Sequence, residues 1–159
     1  MKVLLLDGYN LMYRARHGFA RGEHSTIFSF FRSLRPLVEK FNPDKVYFVI
    51  EGYPKKRMSL LPEYKGTRVY DDKDDFQRQK RYIIKVLKER FPVEVVRHPD
   101  HECDDVIGNL VVDTHKDDEC IVVSTDTDFI QLYNFSDSVA LYNPIKKKYV
   151  PTPQVPDSD

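Results

Sequence analysis

A chain of 159 residues with 41% hydrophobic and 31% charged side chains has the composition of a soluble globular protein and the length of a single domain with a real core. Its longest apolar runs are far too short to cross a bilayer, and the opening Met-Lys-Val-Leu-Leu-Leu-Asp meets an acid before a secretory core could form, so no membrane partner is expected and a cytoplasmic location is. A formal net charge of zero argues by itself against a polyanionic partner, but the charges are unevenly distributed along the chain.

Lys2 to Asp7 is an apolar run closed by an acid and followed by Gly8, the pattern of a buried parallel strand whose last residue stands at the carboxyl edge of a sheet. Gly8-Tyr9-Asn10 reads as a turn, and Leu11 to Arg16 as a segment packed over the strand end. From Ser25 or Thr26 to Phe41, apolar residues recur at helical spacing, with Pro36 expected to kink the helix. Lys45 to Ile50 repeats the first pattern: an apolar strand, then Glu51 and Gly52. Residues 52–75 have weak periodicity and read as a long functional excursion. Phe76 to Phe91 returns to helical spacing, and Val93 to Val96 reads as a third strand.

His101 to Asp128 is the most informative stretch. Glu102, Asp104 and Asp105 crowd the start of an apolar-periodic helix, for which Asp100 is the expected N-cap. Cys120 to Val123 reads as a buried strand, with Asp126 and Asp128 just past its carboxyl end. A short helix from Phe129, a strand from Val139 to Tyr142, a turn at Asn143-Pro144 and a terminal strand at Lys148 to Val150 complete residues 1–150; residues 151–159 form a proline-rich tail. Cys103 and Cys120 are the only cysteines, which suits reduced thiols better than a disulfide framework. His101 and Cys103 lack the second ligand pair of a zinc site. His98, His101 and His115 have no paired nucleophile and read as surface or capping residues, while Ser124 and Thr125 are expected to cap or orient the Asp126 loop.

Strands alternating with helices imply an α/β fold, a mostly parallel central sheet with helices on both faces. Asp7, Glu51, Glu102, Asp104, Asp105, Asp126 and Asp128 would then meet at one rim, where ligands of open α/β sheets bind. Seven carboxylates cannot share a pocket unneutralised, so hard divalent cations, Mg²⁺ or Mn²⁺, are expected there. A pair of ions about 3.5 to 4 Å apart suits phosphodiester hydrolysis. Between Gly52 and Arg68, Lys55, Lys56, Arg57, Lys65 and Arg68 face only Glu63, a basic segment suited to holding a polyanion.

Glu102-Cys-Asp104-Asp105-Val-Ile-Gly, followed by Ser124-Thr125-Asp126-Thr-Asp128, resembles the metal-binding motifs of the flap endonuclease and 5′-3′ exonuclease family, which includes phage 5′ nucleases and the nuclease domain of bacterial DNA polymerase I. Pro62-Glu63-Tyr64-Lys65-Gly66-Thr-Arg68 resembles the sequence of that family's helical arch. The resemblance runs from Asp7 to about Tyr142. It implies a PIN-like fold over residues 1–150 with an arch-like loop at 52–75, and two-metal hydrolysis of DNA at 5′ ends or flaps. It further implies that Lys65 approaches the scissile phosphate and that Tyr64 and Arg68 help to hold the strand; Lys65 with Arg68 is expected to add cationic stabilisation, and the basic Lys55, Lys56 and Arg57 are expected to bind the nucleic acid beside them. A bacterial or phage-infected cell is the implied setting, in replication or repair. Glu51 stands where the family usually has Asp. The chain stops at Asp159, before the family's further pair of metal-binding aspartates and its C-terminal helical DNA-binding module.

Asp7-Gly8-Tyr9-Asn10 is also similar to PIN/NYN-type ribonucleases, which leaves RNA as the alternative substrate. The early stop leaves a second alternative, a nuclease half that binds nucleic acid and needs a partner chain to supply the missing module. Acids in a first helical turn also stabilise the helix dipole by about 0.3 to 1 kcal/mol each, so Glu102, Asp104 and Asp105 point to metal only together with Asp7, Asp126 and Asp128.

Overall fold

The computed structural model describes residues 1–16, 24–51 and 72–151. Its centre is made by the three apolar runs that precede the rim acids. β1 (Lys2–Asp7), β2 (Lys45–Ile50) and β4 (Glu119–Val123) bury every residue after their first, as parallel strands covered on both faces must. With β3 (Glu94–Arg97), β5 (Val139–Asn143) and β6 (Lys148–Val150) they form one sheet in the order β3-β2-β1-β4-β5-β6. All neighbours are parallel except β5 and β6. In this register Asp7 lies level with Val49 and one residue beyond the Leu6–Val123 pair.

The period of two along β1 divides the core. Leu4 and Leu6 point into one layer with Met12, Phe30, Phe48, Ile83 and Leu87, whereas Val3 and Leu5 point into the other with Val49, Ile107, Val111, Val122 and Phe129. The first layer is covered by α1 (Gly8–Arg16), α2 (Ser25–Phe41) and α3 (Asp72–Arg90). The second is covered by α4 (Cys103–Asn109), its π-helical continuation Leu110–Thr114 and a 3₁₀ helix, Thr127–Asn134. Helices therefore lie on both faces of the sheet, as expected. None of the described helices is long and apolar enough to cross a membrane.

Several local expectations need correction. Gly8 opens α1 directly instead of forming a turn with Tyr9 and Asn10. A Cβ there would sit 2.7 Å from the Val49 carbonyl oxygen and 2.9 Å from the side chains of Phe48 and Ile50, so glycine allows the helix to pass against β2. α3 begins at Asp72, ahead of the expected Phe76, because polar contacts support its start. Asp75 accepts from Arg78 at 2.8 Å and from Gln79 at 2.7 Å. Buried Gln79 in turn accepts the Ile27 N–H at 3.1 Å, serving the first turn of α2.

Glu102, not Asp100, occupies the N-cap position of α4, and it makes no side-chain cap bond. Residues 98–101 form a turn of their own, in which the Asp100 N–H donates to His98 Nδ1 at 3.3 Å and the His101 N–H to the His98 carbonyl at 3.2 Å. His115 is a capping residue, the C-cap of the π-helical segment, but it does not lie at the surface. It is buried, with Nε2 2.7 Å from the Tyr47 hydroxyl and Nδ1 2.8 Å from Asp118. Both cysteines are free and buried.

Candidate active site

Four segments deliver acids to the carboxyl end of the sheet: the last residue of β1, the residue after β2, the start of α4 and the loop after β4. Asp104, Asp126 and Asp128 each place a carboxylate oxygen within 4.8 Å of the others. None of the three is in a salt bridge among the described residues. Asp126 is the N-cap of the 3₁₀ helix and accepts the Asp128 N–H at 2.9 Å, which brings both side chains to one side of a single tight turn. Asp104 and Asp126 are partly buried, while Asp128 is exposed.

Asp7 is the anchor beneath this set. It is only 5% exposed. One of its oxygens accepts the Ser124 hydroxyl at 2.7 Å, and the other lies 3.4 Å from both the Asn10 N–H and the Cys103 thiol. Ser124 is shared, since its Oγ also accepts the Asp126 N–H at 3.0 Å. Asn10 closes the opposite side. Its side-chain amide donates to Thr125 Oγ1 at 2.7 Å and its carbonyl oxygen accepts the Thr125 N–H at 3.1 Å. The loop carrying Asp126 is thus tied to both β1 and α1.

The electrostatics are those of crowded carboxylates. Burial, with smaller contributions from Asp126, Asp7, Glu102 and Glu51, pushes Asp104 up to about 6. Asp7 is raised by burial, opposed by its bond from Ser124, and feels the charge of Asp126. Burial drives the Cys103 thiol far above its ordinary range, helped by Asp7, so it stays protonated, its one S–H within reach of both Asp7 at 3.4 Å and the Val49 carbonyl at 3.3 Å.

Asp104, Asp126 and Asp128 therefore form the nucleus of the predicted acidic rim, with Asp7 below them and Glu51 and Glu102 near enough to act on Asp104 through space. Asp105 is exposed and is not in the three-carboxylate set. Lys55, Lys56, Arg57, Tyr64, Lys65 and Arg68 lie outside the described residues. Ser124 and Thr125 orient the Asp126 loop as expected. Asn10 and Cys103 were not anticipated as partners of the site. The three-residue spacing of Asn10 from Asp7 could have suggested the first, but its main partner, Thr125, is 115 positions away.

Three converging carboxylates with Asp7 beneath them are an all-oxygen donor set, the chemistry that hard divalent cations select. A cation there would offset the burial, and the smaller repulsion from neighbouring acids, that raise Asp104.

Residues 2–156 match the sequence family described as 5′-3′ exonuclease, N-terminal resolvase-like domain. The chain is 30% identical over 141 residues to DNA polymerase I of Treponema pallidum (strain Nichols), covering 82% of this chain and 14% of the polymerase. It is 28% identical over 174 residues to the 5′-3′ exonuclease of Buchnera aphidicola subsp. Baizongia pistaciae (strain Bp), covering 99% of this chain and 57% of that enzyme. The chain thus spans less than two thirds of either relative. Among solved structures, a T5 5′-exonuclease with bound zinc ions superposes with a TM-score of 0.68 at 20% identity, covering 94% of this chain and 58% of the exonuclease. The T5 flap endonuclease in a product complex with DNA and metal ions gives a TM-score of 0.65 at 20% identity, over 94% of this chain and 57% of that one.

Proposed function

The chain belongs to the 5′-3′ exonuclease family through its N-terminal, resolvase-like domain, and from that premise we propose that it is a divalent-metal-dependent 5′ nuclease that hydrolyses phosphodiester bonds in DNA at 5′ ends or flaps. The observation that carries this reading is the meeting of Asp104, Asp126 and Asp128 within 4.8 Å, without a cationic partner among the described residues. The donor set fits Mg²⁺ or Mn²⁺, and two such ions supply Lewis acidity and counter-charge for phosphodiester hydrolysis.

In this reading Asp104, Asp126 and Asp128 would hold the metal, with Asp7 as a further acid of the same set. Glu51, Glu102 and Asp105 add negative charge around that centre. Ser124 fixes Asp7 and the Asp126 loop in one geometry, so the carboxylates are positioned before substrate arrives. Asn10 holds Thr125 and with it the approach to Asp126. Cys103 keeps a proton and donates to Asp7, orienting that carboxylate without adding charge. Lys65 and Arg68 stabilise charge developing on the phosphate, and Lys55, Lys56, Arg57 and Tyr64 hold the strand. The work belongs to replication or repair in a bacterial or phage-infected cytoplasm. A partner chain that adds grip on duplex DNA belongs to the same reading.

The test is cleavage of a 5′-labelled flap duplex and of single-stranded RNA in Mg²⁺, Mn²⁺ or chelator. Flap cleavage that requires metal and exceeds RNA cleavage is expected. Asp126→Asn is expected to lower turnover more than about 100-fold, since even partners of metal ligands typically contribute 10- to 100-fold, while DNA binding in chelator is retained. Wild-type turnover by Asp126→Asn, or cleavage indifferent to chelator, would overturn the assignment.

A further inference from the structure

On the side of the rim opposite α4, cations and aromatic rings converge. Lys80 of α3 places Nζ 4.8 Å from the centre of the Tyr9 ring and 4.9 Å from that of Phe76. The Arg16 guanidinium, at the end of α1, lies 5.0 Å from the same Phe76 ring. Phe76 is buried, but Tyr9 is 44% exposed and stacks at 6.1 Å on Tyr13, so one wall of the cluster is open. Neither Lys80 nor Arg16 is in a salt bridge among the described residues. The rings compensate part of the charge through their π faces, but they supply no anion.

We propose that Lys80 and Arg16, set against Tyr9, form a subsite for a phosphate group of the nucleic-acid strand, next to the acidic centre but on the α1/α3 face of the sheet. The placement follows from the chain: Tyr9 is two residues beyond Asp7, so a strand whose phosphate rests on Lys80 passes directly over the first residues of α1 toward the carboxylates. Lys80 is partly buried and near Arg97 and Arg16, which together lower its pKa, and it has no carboxylate paired with it among the described residues. A phosphate would supply the anion at Lys80, with Arg16 adding positive charge through space, and the face of Tyr9 would support the adjoining sugar or base. The proposal rests on the nuclease reading for its ligand, a nucleic-acid strand, but not on hydrolysis.

The experiment is therefore binding in chelator, with short fluorescent oligodeoxythymidylates bearing either a 5′-phosphate or a 5′-hydroxyl, measured over a series of salt concentrations. Lys80→Met keeps the aliphatic packing between the rings and removes the charge. It is expected to weaken Kd about 10-fold and to reduce the slope of log K against log salt by about 0.7, the value of one single-strand phosphate contact. Lys80→Arg should restore most of both. A loss confined to the 5′-phosphorylated oligonucleotide assigns the subsite to the terminal phosphate, and an equal loss for both assigns it to an internal one; either supports the proposal. Arg16→Gln is the second variant, needed should Lys80→Met melt well below the parent. Wild-type Kd and salt slope in a folded variant, or no binding by the parent chain, would overturn it. Binding that depends on Lys80 in a protein that fails to cleave the flap would instead reject the nuclease reading alone.

Discussion

The two ends of the sheet treat charge in opposite ways. At the amino end the acids have cations beside them: Lys45 with Glu94 at 3.0 Å, Lys2 with Glu119 at 3.9 Å, and the terminal amine with Asp118 at 3.4 Å, where His115 Nδ1 adds a hydrogen bond at 2.8 Å. The hydrogen bond from His115 holds the Asp118 carboxyl below its usual range. At the carboxyl end Asp104, Asp126 and Asp128 have one another as neighbours, none of the three is in a salt bridge among the described residues, and burial with repulsion holds Asp104 and Asp7 above their usual range. The strands are the same, so the difference is in the loops. One pole carries its own ion pairs, which contribute to stability, whereas at the other the three clustered carboxylates have no cation paired with them among the described residues, which makes that pole the candidate for an added charge.

The largest effect on stability should come from breaking that contrast at the acidic pole. A carboxyl whose native pKa is about 6, against an ordinary 3.8, binds its proton more tightly in the folded protein. Its contribution is whole below about pH 4 and is lost as the pH rises through 6, by less than the roughly 3 kcal/mol an unscreened shift of this size would carry, because solvent screens a partly exposed carboxyl. Metal-free protein should therefore have a lower Tm at pH 8 than at pH 5. Asp104→Asn should recover most of the difference. Divalent metal should recover it too, since a roughly hundredfold excess over Kd contributes about 2.7 kcal/mol, a rise of roughly 5 to 10 °C for a chain of this length. Thermal melts with and without Mg²⁺ at the two pH values decide the matter. A Tm indifferent to both pH and metal would show that the rim carries no unrelieved charge. Asp118 has the opposite sign, so its contribution is present above the ordinary carboxylate pKa and is lost as the pH falls through its lowered one.

The neutralised pole is sharpened by His115→Phe. With Asp118 accepting from Nδ1–H, the ring presents Nε2 as acceptor to the Tyr47 hydroxyl. Phenylalanine fills the space but leaves that buried hydroxyl without its partner, at a cost of about 1 to 3 kcal/mol. Denaturant melts should show the loss at every pH from 5 to 8, while metal-dependent cleavage per folded molecule stays at the parent value. A substantial fall in cleavage would mean that the two poles are coupled through α4 and its π-helical continuation.

The contrast between poles also marks what could be read in the sequence. β1, β2 and β4 were legible because strands buried on both faces need unbroken apolar runs, and the acids that close or follow those runs mark the rim at once. The start of α3 was not, since its first turn is supported by Asp75, Arg78 and Gln79 rather than by apolar periodicity. Asp100 met the composition rule for a helix cap, but its N–H is already engaged by His98 in the preceding turn. His115 gave no signal, because its partner Tyr47 lies 68 positions away in another strand. Residue types told where charge collects; they did not tell which polar groups would be joined through the core.

Asn10 joins the legible part to the hidden part, and it makes the finest test of the comparison. Its two bonds to Thr125 hold the Asp126 loop against α1, and its own N–H approaches Asp7. These bonds align acids that repel one another, so their energetic role differs from that of the ion pairs at the opposite pole. Asn10→Ala should lower stability by about 1 kcal/mol, and Asn10→Asp by more, because it adds a carboxylate where the field is already negative. The rate of cleavage should fall about 10-fold in the alanine variant, as for other residues that orient metal ligands. Part of that loss should return at high Mn²⁺, because a loosened site binds metal less tightly but retains its donors. Lys2→Ala at the other pole removes an exposed pair with a 3.9 Å separation and should change stability by no more than about 0.5 kcal/mol and cleavage not at all. If the two variants lost the same stability and kept the same rate, Asn10 would be only another structural contact, and the acidic rim would not depend on positioning from α1.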